Sequence, residues 1–90
     1  INGILTEKKM SNNNITITVK FFAMLRDYGP AKEIISVPKN STIKLLFKKY
    51  QIPKEAWKTI ILVNGKPHKE LETVLIDGDI VSIFPPIGGG

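Results

Sequence analysis

One small α+β domain, a mixed sheet covered on one face by a helix, is predicted by three features of the sequence. β-Branched residues alternate with polar ones near the start, a capped run with helical spacing follows in the middle, and two more apolar runs bounded by turn residues close the chain. A chain of 90 residues is too short for two cores, and 42% hydrophobic with 23% charged residues is ordinary globular usage. A single folded domain is expected.

Ile15, Ile17, Val19 and Phe21 alternate with Thr16, Thr18 and Lys20, which predicts a half-buried strand over 14–22. The alternation stops at Ala23-Met24-Leu25-Arg26-Asp27-Tyr28, and Gly29-Pro30 ends that stretch, so it reads as a loop or short turn that anchors Leu25 inward. Strand composition resumes from Lys32 to Val37 and stops at Pro38, predicting a hairpin with a long loop. Asn40-Ser41-Thr42 offers capping oxygens before Ile43, Leu46, Phe47 and Tyr50, whose spacing is that of an amphipathic helix. Pro53 opens a second short helical turn, with Trp57 placed to plug the edge of the core. Ile60 to Val63 reads as a strand closed by the turn pair Asn64-Gly65, and Asp77-Gly78-Asp79 as a turn before a last strand, Ile80 to Phe84. A further small strand is expected near Lys69 to Leu71. With the helix over one face and the first and last strands parallel at the sheet centre, this order is that of the β-grasp, ubiquitin-like architecture.

The sequence also excludes chemistry. Without cysteine there is no disulfide, thiolate metal site or cysteine nucleophile, and a single histidine, His68, builds neither a zinc cluster nor a triad. His68 is expected to be a solvated imidazole, and Asp77 and Asp79 turn residues, not metal ligands. No metal or cofactor is expected on the chain itself. The 13 Lys and Arg against 8 Asp and Glu give a net charge of +5, which raises an RNA-binding module as the weakest of the readings below. Acidic residues interrupt the lysines, and the densest group, Lys44, Lys48, Lys49, Lys54 and Lys58, has the spacing of a solvated helix face. No apolar run approaches the roughly 18 residues needed to span a bilayer, so a cytoplasmic protein without membrane association is expected. Residues 1–13 are read as a disordered arm or cloning remnant, residues 14–86 as the folded domain and residues 87–90 as a flexible tail.

That tail carries the chemistry. After Phe84 the chain reads Pro85-Pro86-Ile87-Gly88-Gly89-Gly90. Prolines stiffen an extended exit and glycines neither pack nor hold an element, so the segment is expected to project, with a reach of roughly 20 Å. A terminal glycine carboxylate, flanked by no side chain, is open to activation as an acyl-adenylate; a frayed end is the ordinary alternative. Strand parity adds a second clue. If Phe21 and Ile83 face the helix, Phe22 and Phe84 point to the open face at the same end of parallel strands, where Leu62 or Ile60 would extend the patch. Phe22 folded back under the Ala23–Tyr28 loop is the other possibility.

Val19-Lys20-Phe21-Phe22-Ala23-Met24-Leu25-Arg26, the turns Val63-Asn64-Gly65-Lys66 and Asp77-Gly78-Asp79, and the ending Phe84-Pro85-Pro86-Ile87-Gly88-Gly89-Gly90 together resemble the MoaD/ThiS family of ubiquitin-like sulfur carriers. Within that family the likeness is to the MoaD branch, the small subunits of molybdopterin synthase, and it runs from about Ile15 to Gly90. The resemblance implies that an E1-like, MoeB-like enzyme uses ATP to adenylate Gly90 and that a sulfur donor converts it to a thiocarboxylate. It further implies that Gly88 and Gly89 line a narrow channel in a MoaE-like large subunit, where the sulfur is delivered for dithiolene formation. Phe22, Leu62, Phe84, Pro85, Pro86 and Ile87 would then bind the partner. Catalysis would belong to the partners, and this chain would be the sulfur-donating subunit. A ThiS-type carrier for thiamine synthesis and a ubiquitin-like protein modifier share the same ending. Chains of the MoaD type are often acidic, and the basic charge here implies a partner with an acidic rim.

Overall fold

The computed structural model describes residues 13–68 and 70–86. The expected arm, apart from Asn13, and the expected tail of residues 87–90 lie outside these residues. β1 is Asn14–Phe21, and the alternation is realised: Ile15, Ile17, Val19 and Phe21 are buried while Thr16 is exposed. A 3-10 turn, Ala23–Asp27, buries Leu25 and leads to β2, Glu33–Pro38. β2 pairs antiparallel with β1 in the register Ile15↔Val37 and Ile17↔Ile35, which confirms the hairpin with a long loop.

Helix α1, Ile43–Lys49, buries Ile43, Leu46 and Phe47. Of the three capping candidates Thr42 is the cap, its hydroxyl accepting from Leu45 N at 3.3 Å. The amides of Ile43 and Lys44 donate to the carbonyls of Thr73 at 3.1 Å and Leu71 at 2.8 Å, so the first-turn donors are used by the segment that crosses beneath them. At the other end Gln51 takes φ 56, while Ile52 N bonds Phe47 O at 2.9 Å and Gln51 N bonds Lys48 O at 3.0 Å. This is a Schellman closure with glutamine where glycine is usual. A 3-10 turn, Lys54–Ala56, follows with Pro53 as its cap. Trp57 closes the core edge as expected, edge-on to Phe47 at 5.8 Å, with its indole N–H donating to Ile52 O at 2.7 Å.

β3, Ile60–Val63, turns through Asn64-Gly65 into β4, Lys66–His68. The small strand therefore lies earlier than the expected Lys69 to Leu71; Lys69 is outside the described residues and Leu71 sits in a turn. A two-residue turn leads straight back along its partner, in the register Val63↔Lys66, and Pro67 is tolerated because β4 is an edge strand. β5, Ile80–Phe84, completes a sheet of order β2-β1-β5-β3-β4. β1 and β5 run parallel at its centre with Val19↔Val81 and Phe21↔Ile83 in register. Their inward residues meet α1 in one core that includes Ile17, Val19, Phe21, Leu46, Phe47, Val81 and Ile83. This is the β-grasp.

Phe21 sets two testable constraints. Its ring lies edge-on to Tyr50 at 4.8 Å and against Gly29, where an added Cβ would fall 2.6 Å and 2.8 Å from ring carbons. Gly29→Ala is therefore expected to destabilise the domain by about 1–3 kcal/mol through overpacking, read as a lower denaturation midpoint. Tyr50 donates to a Glu33 carboxylate oxygen at 2.6 Å, and burial, then that bond and the adjacent charge, hold its hydroxyl protonated well above the ordinary tyrosine value. Because the folded state keeps this proton more tightly, the contribution is present below the unfolded value near 10.0 and is lost as pH rises past it. Tyr50→Phe should flatten that alkaline fall in unfolding titrations.

Candidate functional site

The site forms where β1, β3 and β5 share one end of the sheet. Phe22 leaves β1 still extended, at φ −119 and ψ 148, its amide donating to Ile83 O at 3.1 Å. Ala23 then takes φ 56, a left-handed conformation that costs an alanine roughly 1–2 kcal/mol. This abrupt turn sends Leu25 back into the core while Phe22 stays on the open face. There the Phe22 ring stacks on Phe84, with centroids 4.1 Å apart and planes 8° from parallel. The alternative, Phe22 tucked under the following loop, is not what forms.

Antiparallel pairing places Ile60 opposite Phe84 and Leu62 opposite Ser82. With Pro85 and Pro86 these residues line an open groove of about 460 Å³ whose walls are Phe22, Ala23, Ile60, Leu62, Phe84 and the two prolines. Every lining side chain is apolar, and Phe22, Leu62, Phe84 and Pro85 are half-buried with Pro86 exposed. Apolar surface concentrated at one edge of a small domain marks an interaction site more often than scattered exposed leucines do. Five of the predicted partner-binding residues, Phe22, Leu62, Phe84, Pro85 and Pro86, thus meet in one groove, while Ile87, Gly88, Gly89 and Gly90 lie outside the described residues.

Sequence reasoning missed two features. Ala23 lines the groove, and its backbone gives no sequence signal, because alanine is a poor advertisement for a left-handed turn. Pro85 and Pro86 also line a second groove of about 330 Å³, together with Met24, Asp27, Tyr28, Glu55 and Lys58 among others. The two prolines therefore border both an apolar and a mixed concavity.

Asp77 and Asp79 act as turn residues, as expected. Asp77 accepts from Thr16 N at 2.7 Å. Asp79, 5% exposed, accepts from Asn64 Nδ2 and from Ile76 N, both at 2.9 Å. Among the described residues no cluster of three potential metal ligands forms. Asp79→Ala removes the acceptor for both donors and should cost about 1–3 kcal/mol in chemical denaturation. Lys48, Lys49, Lys54 and Lys58 are exposed and Lys44 is half-buried, but only Lys44, Lys48 and Lys49 lie on α1, so the five do not share the one helix face their spacing predicted. No helix among the described residues is long and apolar enough to cross a membrane.

A β-grasp domain with an apolar groove beside the exit of its last central strand defines a class, the ubiquitin-like carriers and modifiers. The chain belongs to the ThiS family, whose sequence model matches residues 19–90. Solved structures agree. A protein described as molybdopterin converting factor subunit 1 from Pyrococcus furiosus is 28% identical over 81% of this chain and 99% of its own, with a TM-score of 0.65. The complex of subunits 1 and 2 of the molybdopterin-converting factor from Helicobacter pylori contains a chain 28% identical, covering 84% of this chain and 100% of that one at a TM-score of 0.58. The small archaeal modifier protein 1 from Methanosarcina acetivorans is also 28% identical, over 86% of this chain and 98% of its own, with a TM-score of 0.61. No curated protein matches the chain.

Proposed function

We infer that this chain is the sulfur-carrying small subunit of a molybdopterin synthase. The observation that carries the reading is the apolar groove beside Pro85 and Pro86, a docking surface at the root of a segment reading Ile87-Gly88-Gly89-Gly90. A large partner gripping this groove gains hydrophobic contact at the tail's root and so directs the glycines into its own active site. An E1-like enzyme joins the Gly90 carboxylate to AMP from ATP, releasing pyrophosphate. A sulfur donor then displaces AMP and leaves a thiocarboxylate. In the large subunit, similar to MoaE, that sulfur passes to cyclic pyranopterin monophosphate as the dithiolene is built. Gly88 and Gly89, without Cβ atoms, suit a narrow channel. ATP and the catalytic acids and bases belong to the partners.

The relative that forms a two-subunit complex and the Phe-Phe-Ala and Phe-Pro-Pro segments favour this role over thiamine synthesis. A second reading, conjugation to lysines as a protein modifier, is motivated by the equal identity to the archaeal modifier. Incubation with the E1-like enzyme, ATP and sulfide should give the mass gain of an oxygen-to-sulfur exchange at the C-terminus. Its absence in that complete reaction overturns the carrier reading. Isopeptide-linked tail remnants on lysines in digested extract would support the modifier reading instead.

A further inference from the structure

The Asn64-Gly65 turn joins β3 to β4 with Asn64 at φ 54 and Gly65 at φ 83. A Cβ at Gly65 would meet nothing within 4 Å, so the turn is open to water. In such a pair the glycine amide nitrogen, unhindered by a side chain, is well suited to attack the asparagine side-chain carbonyl. Here that carboxamide is held from both ends. Its Nδ2 donates to Asp79 Oδ1 and its Oδ1 accepts from Ile80 N, each at 2.9 Å. The Asn64 main-chain N–H also bonds Ile80 O at 2.8 Å, and Asp79 is itself fixed by Ile76 N. Cyclisation therefore requires the carboxamide to leave two partners.

We propose that Asn64 is a latent deamidation site that the Asp79 and Ile80 clamp keeps closed in the folded chain, so that its modification marks molecules that have opened. On opening, the Gly65 nitrogen gives up its proton to solvent base and bonds to Asn64 Cγ. The Cγ–Nδ2 bond breaks, ammonia leaves, and a five-membered succinimide forms. Water then opens either carbonyl to give aspartate or isoaspartate, with no change in oxidation state. Neither product restores the clamp. Aspartate sets a carboxylate against the Asp79 carboxylate where a donor stood, and isoaspartate inserts a methylene into the backbone of the turn. The change is one-way, and it strikes the hydrogen bonds that join the end of β3 to the start of β5. The inference is independent of sulfur carriage.

The full chain is incubated in mildly alkaline buffer, folded or in guanidinium chloride, and peptide mapping reads deamidation separately at Asn64 and at Asn2, which also precedes a glycine. Asn64 is expected to react on the order of a hundredfold more slowly in the folded chain, while the two sites react alike in denaturant. Asp79→Ala, which leaves Asn64 Nδ2 without its acceptor, should raise the Asn64 rate in native buffer about tenfold. Asn64→Asp, the reaction product, should lower the melting temperature by about 5–10 °C. Folded and denatured rates within about twofold of each other overturn the protection. An Asp79→Ala rate equal to wild type overturns the role of the clamp, and an unchanged melting temperature in Asn64→Asp overturns the one-way character. If Asp79→Ala does not fold, the wild-type comparison and Asn64→Asp still decide.

Discussion

Leu62→Asp is expected to yield a folded domain that binds a MoaE-like subunit at least about a hundredfold more weakly, measured by calorimetric titration. Leu62 is half-buried on the open sheet face, outside the core, and its backbone pairs with Ser82 and Pro67. A carboxylate there is solvated in the free protein, so unfolding should shift by less than about 1 kcal/mol. In the complex it would be buried and unpaired among Phe84, Ile60 and the partner's apolar surface, a loss on the order of 3 kcal/mol or more. Ile34→Asp supplies the control. Ile34, on β2, is 64% exposed, pairs with Thr18 of β1 and lies outside the groove lining. Equal weakening by both substitutions would show that the groove has no special part in docking.

Removing Gly89 and Gly90 should abolish thiocarboxylate formation completely while leaving thermal unfolding unchanged. Among the described residues the core runs from Ile15 to Ile83, and the two glycines carry no side chain to contribute to it. The deletion would place the shortened terminus roughly 7 Å further from a partner's reaction centre, and a misplacement of even 1 Å is worth about a hundredfold in rate. Residual sulfur uptake by the shortened chain, followed by intact-mass measurement, would remove Gly90 from its proposed role.

Much of this geometry was legible in the sequence because it rests on period and parity. The alternation from Ile15 to Phe21 fixes which face Phe22 takes, and the parallel pairing of β1 with β5 brings Phe84 beside it. Thr42 was one of three adjacent capping candidates, and choosing it depends on where the crossing carbonyls of Leu71 and Thr73 arrive. The position of β4 was misjudged because Pro67 argues against a strand unless the strand is known to be an edge. Ala23, Gln51 and Asn64 all take positive φ, yet only the asparagine announces it chemically. The second groove depends on the Ala23 turn and on tertiary approach of Glu55 and Lys58, which no local pattern encodes.

The central pairing of Thr18 with Ile80 joins residues near opposite ends of the folded chain. Such a distant closure forms late and slowly relative to a local hairpin. The stacked pair of Phe22 and Phe84 therefore exists only once the first and last strands of the sheet have come together. A partner that required both rings at once would engage only chains in which that distant closure is complete.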